Sequence, residues 1–531
     1  MKTMQQYEMY EITVSGPAPE GSWVTTDVHA DFTICGKTIR VKGFYAGDDT
    51  YRVRFLPEQA GTYECSLYVP FGDPERIMEI ECLPAAEGRH GIVRADGTHF
   101  RYADGTWFYP FGTTVYAMIH QEDALVEQTF ETLAGSPFNK IRICLFPKHY
   151  DYNHNEPPCY AFAATKKGMQ ELRDPDRASA PGRFDVQHPN PQFWDRLENC
   201  IQRLDALGIQ CDLILFHDYD NWGFARLTLD EALTYLDYAA RRLSAFPNLW
   251  WSLANEYDLL PYMQEDWEAI AHFVHENDPY GHLLSNHQMV REWDFANKDT
   301  THICLQTSDL EFLSSKILKY NKPLMVDECR YEGNLPMNWG NITGFELVNR
   351  FWTVVTQGGY CTHGETFLNK NDPDEIVWWA KGGKLIGESP ARIAFLRNVV
   401  ESLPGPLTYA GRPETTREQF EAMKGQLPPS MLETNSFLRL MVTSSWEEAR
   451  GLVNSARELE ASCGDEAFLK YYGRNCTSLG KLSLPESGSY RVEVLDVWDM
   501  TRTTALEGVN GSVAVNLPGK EGIALLATKI G

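Results

Sequence analysis

Apolar and polar positions change their period along this chain, and the changes mark its domains. Over residues 1–85 they alternate in short runs. Tyr51-Arg52-Val53-Arg54-Phe55 and Thr62-Tyr63-Glu64-Cys65-Ser66-Leu67-Tyr68 place every second side chain on one face, which is the period of a strand. The runs Tyr7–Val14, Asp27–Ile34, Thr38–Phe44, Tyr51–Phe55 and Gly61–Val69 are parted by Gly-Lys, Gly-Asp-Asp and Gln-Ala-Gly turns. They predict an antiparallel β-sandwich.

From 88 to 405 continuous apolar runs alternate with helical stretches, the pattern of βα units around a parallel sheet. The expected strands are Trp107–Gly112, Asn139–Phe146, Cys211–His217, Leu249–Ala254, Leu283–Asn286, Ile303–Gln306, Leu324–Asp327 and Tyr360–His363. Helix Gln192–Leu207 carries Phe193, Leu197, Ile201, Leu204 and Leu207 on one face; Asp230–Ala245 and Glu265–Glu276 are further helices. Eight such units predict a (β/α)8 TIM barrel. The segment Pro147–Pro191 is too long for an ordinary βα loop and is expected to shape a binding site. Residues 406–432 read as a linker with a short helix. Short strands return over 433–531, at Leu438–Thr443, Ala467–Tyr472, Tyr490–Asp496 and Ser512–Asn516, and predict a second sandwich. The fold class is thus α/β, a TIM barrel flanked by an N-terminal and a C-terminal β-sandwich.

Composition narrows the function. Of 531 residues 43% are hydrophobic and the net charge is −25, so neither nucleic acid nor an anionic membrane surface suits this chain. A neutral carbohydrate does. The amino terminus has no apolar h-region, no run is long enough to span a bilayer, and the twelve cysteines contain no CxxC pair. Cys144, Cys211, Cys304 and Cys361 fall inside core strands, so reduced thiols and a cytoplasmic location are expected. Either sandwich packs on the barrel or closes the cleft of a neighbouring subunit, which makes a homo-oligomer one expected assembly.

The chemistry sits where apolar strands end in polar groups. Leu249-Trp250-Trp251-Ser252-Leu253-Ala254 runs into Asn255-Glu256, and Pro323-Leu324-Met325-Val326 runs into Asp327-Glu328. Barrel enzymes keep their reactive groups at these carboxyl ends. Glycoside hydrolysis needs one carboxylic acid to protonate the leaving oxygen and one carboxylate at the sugar carbon. Glu256 and Glu328, on strands four and seven across the mouth, supply that pair. Asp327 is the rival of Glu328, but successive strand residues face opposite ways and the longer Glu reaches further. Arg142 is a charge inside a core strand and needs a partner, for which a carboxylate nucleophile is suited. His217, His287 and Gln306 end strands three, five and six; Glu365 follows strand eight. With Trp222 and Trp378 as aromatic platforms, these are the expected substrate-binding residues. Asp218 and Asp220 look superficially like metal ligands, yet no histidine at helical spacing joins them, so no metal and no cofactor is expected. The competing reading is a carbohydrate-binding protein with a degenerate, non-catalytic barrel.

On these residues the barrel resembles the clan A retaining glycoside hydrolases, which include family 5. The resemblance implies that Glu256 is the acid/base, Glu328 the nucleophile, Arg142 the strand-two arginine and Asn255 the amide that holds the sugar's 2-hydroxyl. The segment Phe55-Leu56-Pro57-Glu58-Gln59-Ala60-Gly61-Thr62-Tyr63 resembles DUF5060 and the barrel the DUF4038 group. Val494-Leu495-Asp496-Val497-Trp498-Asp499-Met500-Thr501, with Leu517-Pro518-Gly519-Lys520, resembles DUF5605. Two departures stand out. No tyrosine follows strand six near Gln306, and His363-Gly364-Glu365 replaces the strand-eight tryptophan unless Trp378 or Trp379 swings in.

Overall fold

The computed structural model of the chain describes residues 2–72, 75–171, 182–368, 378–454 and 459–530. They form two compact units. The first comprises Met1–Ser308, Tyr320–Leu347 and Tyr360–Arg397, the second Asp309–Lys319, Val348–Gly359 and Asn398–Gly531.

At the centre of the first unit is an eight-stranded parallel sheet. In chain order its strands are Phe111–Thr114, Lys140–Cys144, Gln210–His217, Leu249–Asn255, Leu284–Ser285, Ile303–Gln306, Leu324–Glu328 and Tyr360–His363. Strands one and eight pair with each other, so the sheet curls into a nearly closed barrel. Its ladder is open only between strands five and six, where the Thr301 N–H still reaches the Leu284 carbonyl at 2.8 Å. Strands three and four are buried at every position, as a parallel sheet covered on both faces requires.

The first barrel strand begins later than the apolar run suggested. Trp107–Phe108 instead joins an antiparallel sheet with His99–Tyr102 and Val93–Asp96. Pro110, with no amide hydrogen to give, separates the two strands. Phe100 of this small sheet lies 5.3 Å from both Trp250 and Tyr360, ring to ring. Those residues start strands four and eight, so the small sheet covers the barrel end opposite the strand tips.

Ahead of the barrel, a five-stranded and a three-stranded sheet share one core, with Phe32 stacked on Phe55 at 3.9 Å. The predicted run Thr38–Phe44 divides at Gly43 into Lys37–Lys42 and Phe44–Gly47, which belong to different sheets. A Cβ at Gly43 would lie 2.8 Å from Val28, so only glycine turns this corner. Arg54 ties these sheets to barrel helices Pro191–Ala206 and Leu229–Leu243. It donates to Glu198 at 2.6 and 2.9 Å, to the Arg242 carbonyl at 2.8 Å and to Glu11 at 2.9 Å.

The long insertion after strand two carries an antiparallel hairpin, Phe162–Ala164 with Phe184–Pro189. Its Phe184 stacks through Phe224 onto Phe146, two residues past strand two, 4.5 Å at each step.

In the second unit a six-stranded sheet and the pair Leu479–Leu484 with Gly511–Asn516 share a core around Leu482, Tyr490, Val515 and Leu525. The expected strand Leu438–Thr443 is instead part of helix Ser436–Thr443. It is one of four helices, with Arg417–Gln426, Pro429–Thr434 and Trp446–Asn454, where a linker with one short helix and then the start of the second sandwich were expected. Phe437, Leu440 and Met441 are spaced for a helix face, and Asn435 caps it by accepting the Leu438 N–H at 3.1 Å. No helix among the described residues is long and apolar enough to cross a membrane.

Candidate active site

Strand four ends at Asn255, and Glu256 then takes a left-handed backbone, φ +57°. Regular alternation would send Asn255 and Glu256 to opposite faces. The turn breaks that alternation and lets both face Glu328. A left-handed glutamate is strained, at a cost of about 1–3 kcal/mol, and persists only where its surroundings hold it. His287, past strand five, does so. The Glu256 N–H points to His287 Nδ1 at 3.4 Å, and the Tyr257 N–H donates to the His287 carbonyl at 2.9 Å.

Glu328, the last residue of strand seven, meets Tyr116, which follows strand one. The Tyr116 hydroxyl donates to the Glu328 carboxylate and stands 2.9 Å from Asn255 Oδ1. Arg142 stands 3.6 Å from the Glu328 carboxylate and His287 Nε2 stands 3.7 Å from it, each just beyond hydrogen-bond distance. Asp327 turns the other way, into the barrel interior. There it accepts from Lys140 at 2.8 Å, Thr362 at 2.6 Å and Cys304 at 2.9 Å.

The electrostatics single out Glu256. Burial, and then the charge of Glu328, raise the pKa of Glu256 against the opposing effects of Tyr219, Lys148 and Gln306. Tyr219, two residues past strand three, donates its hydroxyl hydrogen to Glu256. Burial also pushes His287 well below its ordinary range, with Arg142 adding to the effect, so its imidazole is neutral. Its Nδ1 faces an N–H, which leaves the ring hydrogen on Nε2, toward Glu328. Lys148 is buried among aromatic rings, 3.5 Å over Tyr116 and 4.2 Å over Tyr219, and desolvation lowers its pKa.

Of the residues singled out in the sequence, Glu256, Glu328, Asn255, Arg142, His287 and Gln306 converge here. His217 lies behind them. Its Nε2 donates to the Phe146 carbonyl at 3.1 Å, and burial drops its pKa to about 3. Three expected substrate contacts are not brought to the pair. Trp222 packs toward the insertion, with Nε1 donating to Glu156 at 3.0 Å. Trp378 donates to Thr113 at 2.8 Å inside the barrel, whereas Trp379 faces the site, 5.4 Å from Tyr116 and 5.0 Å from Trp339. Glu365 accepts the Ile386 and Gly387 N–H groups at 2.9 and 3.0 Å. Asp220 accepts the Trp222, Gly223 and Ala225 N–H groups, and Asp218 pairs with Arg226 at 2.7 Å, so these two aspartates shape a loop.

The sequence reading missed Tyr116, Lys148, Tyr150, Tyr219, Tyr331 and Trp339, which with Trp379 wall the site. One signal was available: a tyrosine two or three residues past strands one, three and seven. Tyr116 takes the place beside the nucleophile candidate left empty after strand six.

Comparison with known proteins agrees with this geometry. The family model described as "Apiosidase-like, catalytic domain" matches residues 94–375. Models for DUF5060 and DUF5605 match residues 3–69 and 454–528. A structure assigned as a glycoside hydrolase, from Bacteroides vulgatus ATCC 8482, is 29% identical and matches over 100% of both chains with a TM-score of 0.83. A family 5 glycoside hydrolase structure from the same organism is 14% identical, covers 83% of this chain and 94% of its own, and has a TM-score of 0.56. At that identity the second likeness is one of fold. No curated protein sequence matches the chain. With the paired carboxylates at the strand tips, these matches make the chain a glycosidase.

Proposed function

The chain belongs to the apiosidase-like family, and on that premise we propose that it hydrolyses a glycoside with retention of configuration. Glu328 attacks the anomeric carbon and forms a glycosyl ester. The bond to the leaving oxygen breaks as Glu256 gives that oxygen its proton. A water then enters, Glu256 takes one of its protons, and the oxygen attacks the same carbon and expels Glu328. Asn255 holds the hydroxyl beside the reacting carbon.

The observation that carries this reading is the pair itself: Glu256 and Glu328 meet at the tips of strands four and seven, and burial with the charge of Glu328 raises the pKa of Glu256. An acid catalyst must keep its proton near neutral pH. Once Glu328 is esterified its charge is gone, the pKa of Glu256 falls, and the same group serves as base. Tyr116, His287 and Arg142 orient the nucleophile.

The substrate we propose is a short apiosyl glycoside, apiose being a branched pentofuranose; the family description supports the sugar. A neutral polyol suits a site walled by tyrosine and tryptophan in a chain of net charge −25. The cysteines are scattered and nine of the twelve are buried, in keeping with the proposal that the enzyme acts in a reducing compartment.

The test is a panel of aryl furanosides and pyranosides, apiofuranosides included. Glu328→Ala is expected to lose activity on every substrate by on the order of 10⁴-fold or more. Glu256→Ala should lose far less on substrates whose leaving group needs no proton. Equal loss on good and poor leaving groups would remove Glu256 from the acid role. An inverted first product would remove the glycosyl-enzyme.

A further inference from the structure

A second cluster lies past the tips of strands seven and eight, and no step of the reaction above uses it. Glu332, His363 and Glu365 are 2, 0 and 1% exposed, and one ligand atom from each lies within 4.8 Å of the others. Glu332 and Glu365 belong to two short strands, Glu332–Gly333 and Glu365–Thr366, that pair side by side. His363 closes strand eight.

Both carboxylates grip the same turn. Glu365 accepts the N–H groups of Ile386 and Gly387, and Glu332 those of Glu388 and Ser389 at 2.7 and 3.0 Å. A Cβ at Gly387 would lie 2.5 Å from Glu332 Oε2 and 2.6 Å from Glu365 Oε1, so the glycine allows the two carboxylates to meet. Among the described residues no lysine or arginine pairs with either one. The one cationic candidate among the described residues is His363, whose Nε2 stands 3.7 Å from Glu365 Oε1 and has no hydrogen-bond partner among them. Its Nδ1 meets Thr113 Oγ1 at 3.0 Å and its ring stacks on Phe138 at 4.6 Å, which fixes Nε2 toward the carboxylates.

Two buried carboxylates with at most one imidazolium are a charge imbalance that a protein interior strongly disfavours. A divalent cation removes it. We propose that Glu332, His363 and Glu365 bind one divalent transition-metal ion. One imidazole nitrogen with two carboxylates suits zinc or manganese, while calcium asks for six or more oxygens. The Thr113 contact is the outer bond that orients a metal-bound histidine. The ion ties the turn before helix Ser389–Glu401 to strand eight and to the loop after strand seven. Tyr331 and Trp339 of that loop wall the active site, the Tyr331 N–H donating to the Trp339 carbonyl at 2.8 Å. The site is therefore structural, and it supports the catalytic wall.

The test uses tag-free full-length protein, exchanged with zinc or manganese, desalted and measured by plasma mass spectrometry. About one ion per chain is expected, with a thermal midpoint that falls on chelation by on the order of 2–4 °C and recovers with zinc or manganese but not magnesium. His363→Gln keeps both carboxylates and is expected to bind the ion at least about tenfold more weakly. Glu365→Gln should retain none. Less than about 0.1 ion per chain in the unaltered protein would overturn the proposal and leave the histidine as a simple neighbour of Glu365. Equal retention by His363→Gln would overturn it too, because the ion would then sit elsewhere.

Discussion

Arg54 and Arg142 are both buried arginines beside glutamates, and they are used in opposite ways. Arg54 directs its nitrogens to Glu11, Glu198 and the Arg242 carbonyl in hydrogen bonds of 2.6–2.9 Å. Arg142 has no hydrogen bond to any of its three nitrogens among the described residues, and it stands 3.6 Å from Glu328 and from Asp212. The first arrangement is saturated and holds two layers together. The second is held open. A nucleophile that becomes an ester loses its charge, and every full-strength hydrogen bond to that charge weakens with it. Donors kept slightly too far lose less at that step and remain placed for the carboxylate when it is regenerated.

The comparison breaks if the two arginines respond alike. Arg54→Met leaves Glu198 with Arg242 alone and strands polar groups inside the junction. It should lower stability by about 3–5 kcal/mol and leave kcat of the folded protein within about twofold. Arg142→Met removes charge balance but no hydrogen bond. Its stability loss should be smaller, while kcat/KM falls on the order of 10²–10³-fold. Urea melts and steady-state kinetics on the two variants separate the roles; a greater stability loss for Arg142→Met than for Arg54→Met would contradict them.

Much of this was readable in the chain, and the unread part has physical causes. Asn255-Glu256 and Glu328 were visible because an apolar run ending in a carboxylate has few structural explanations. Their convergence was not, since it depends on a left-handed φ at Glu256 that the residue type does not announce. The tyrosines were passed over because phenols fill cores as readily as sites. Trp378 and Trp379 sit side by side on a short helix, where neighbours point about 100° apart, so the composition could not say which one turns to the sugar. Helix Ser436–Thr443 reads as a strand over Leu438–Thr443 because so short a mostly apolar run satisfies both periods, and only the cap at Asn435 decides.

Tyr219 sharpens the contrast on the acid side. Its hydroxyl donates to Glu256 and stabilises the charged form, so it lowers a pKa that burial and Glu328 raise. Tyr219→Phe removes the donor. The pKa of Glu256 then rises, the acid keeps its proton further into the alkaline range, and the alkaline limb of kcat/KM moves to higher pH. A limb that stays in place would assign the alkaline limb to some group other than Glu256.

The smallest effect expected is that of Lys148, a third buried cation and one with no ion pair among the described residues. Its ammonium acts on Glu256 through space, and with less weight than the Tyr219 hydrogen bond. Lys148→Met keeps the stem within the aromatic cage and deletes the charge. The alkaline limb should again move up, by less than in Tyr219→Phe, and high salt should leave the difference intact because the site is shielded from bulk ions. A downward shift would reverse the sign of the coupling. It would mean that Lys148 acts by holding the cage of Tyr116 and Tyr219 in shape, and that its charge plays no part in setting the acid.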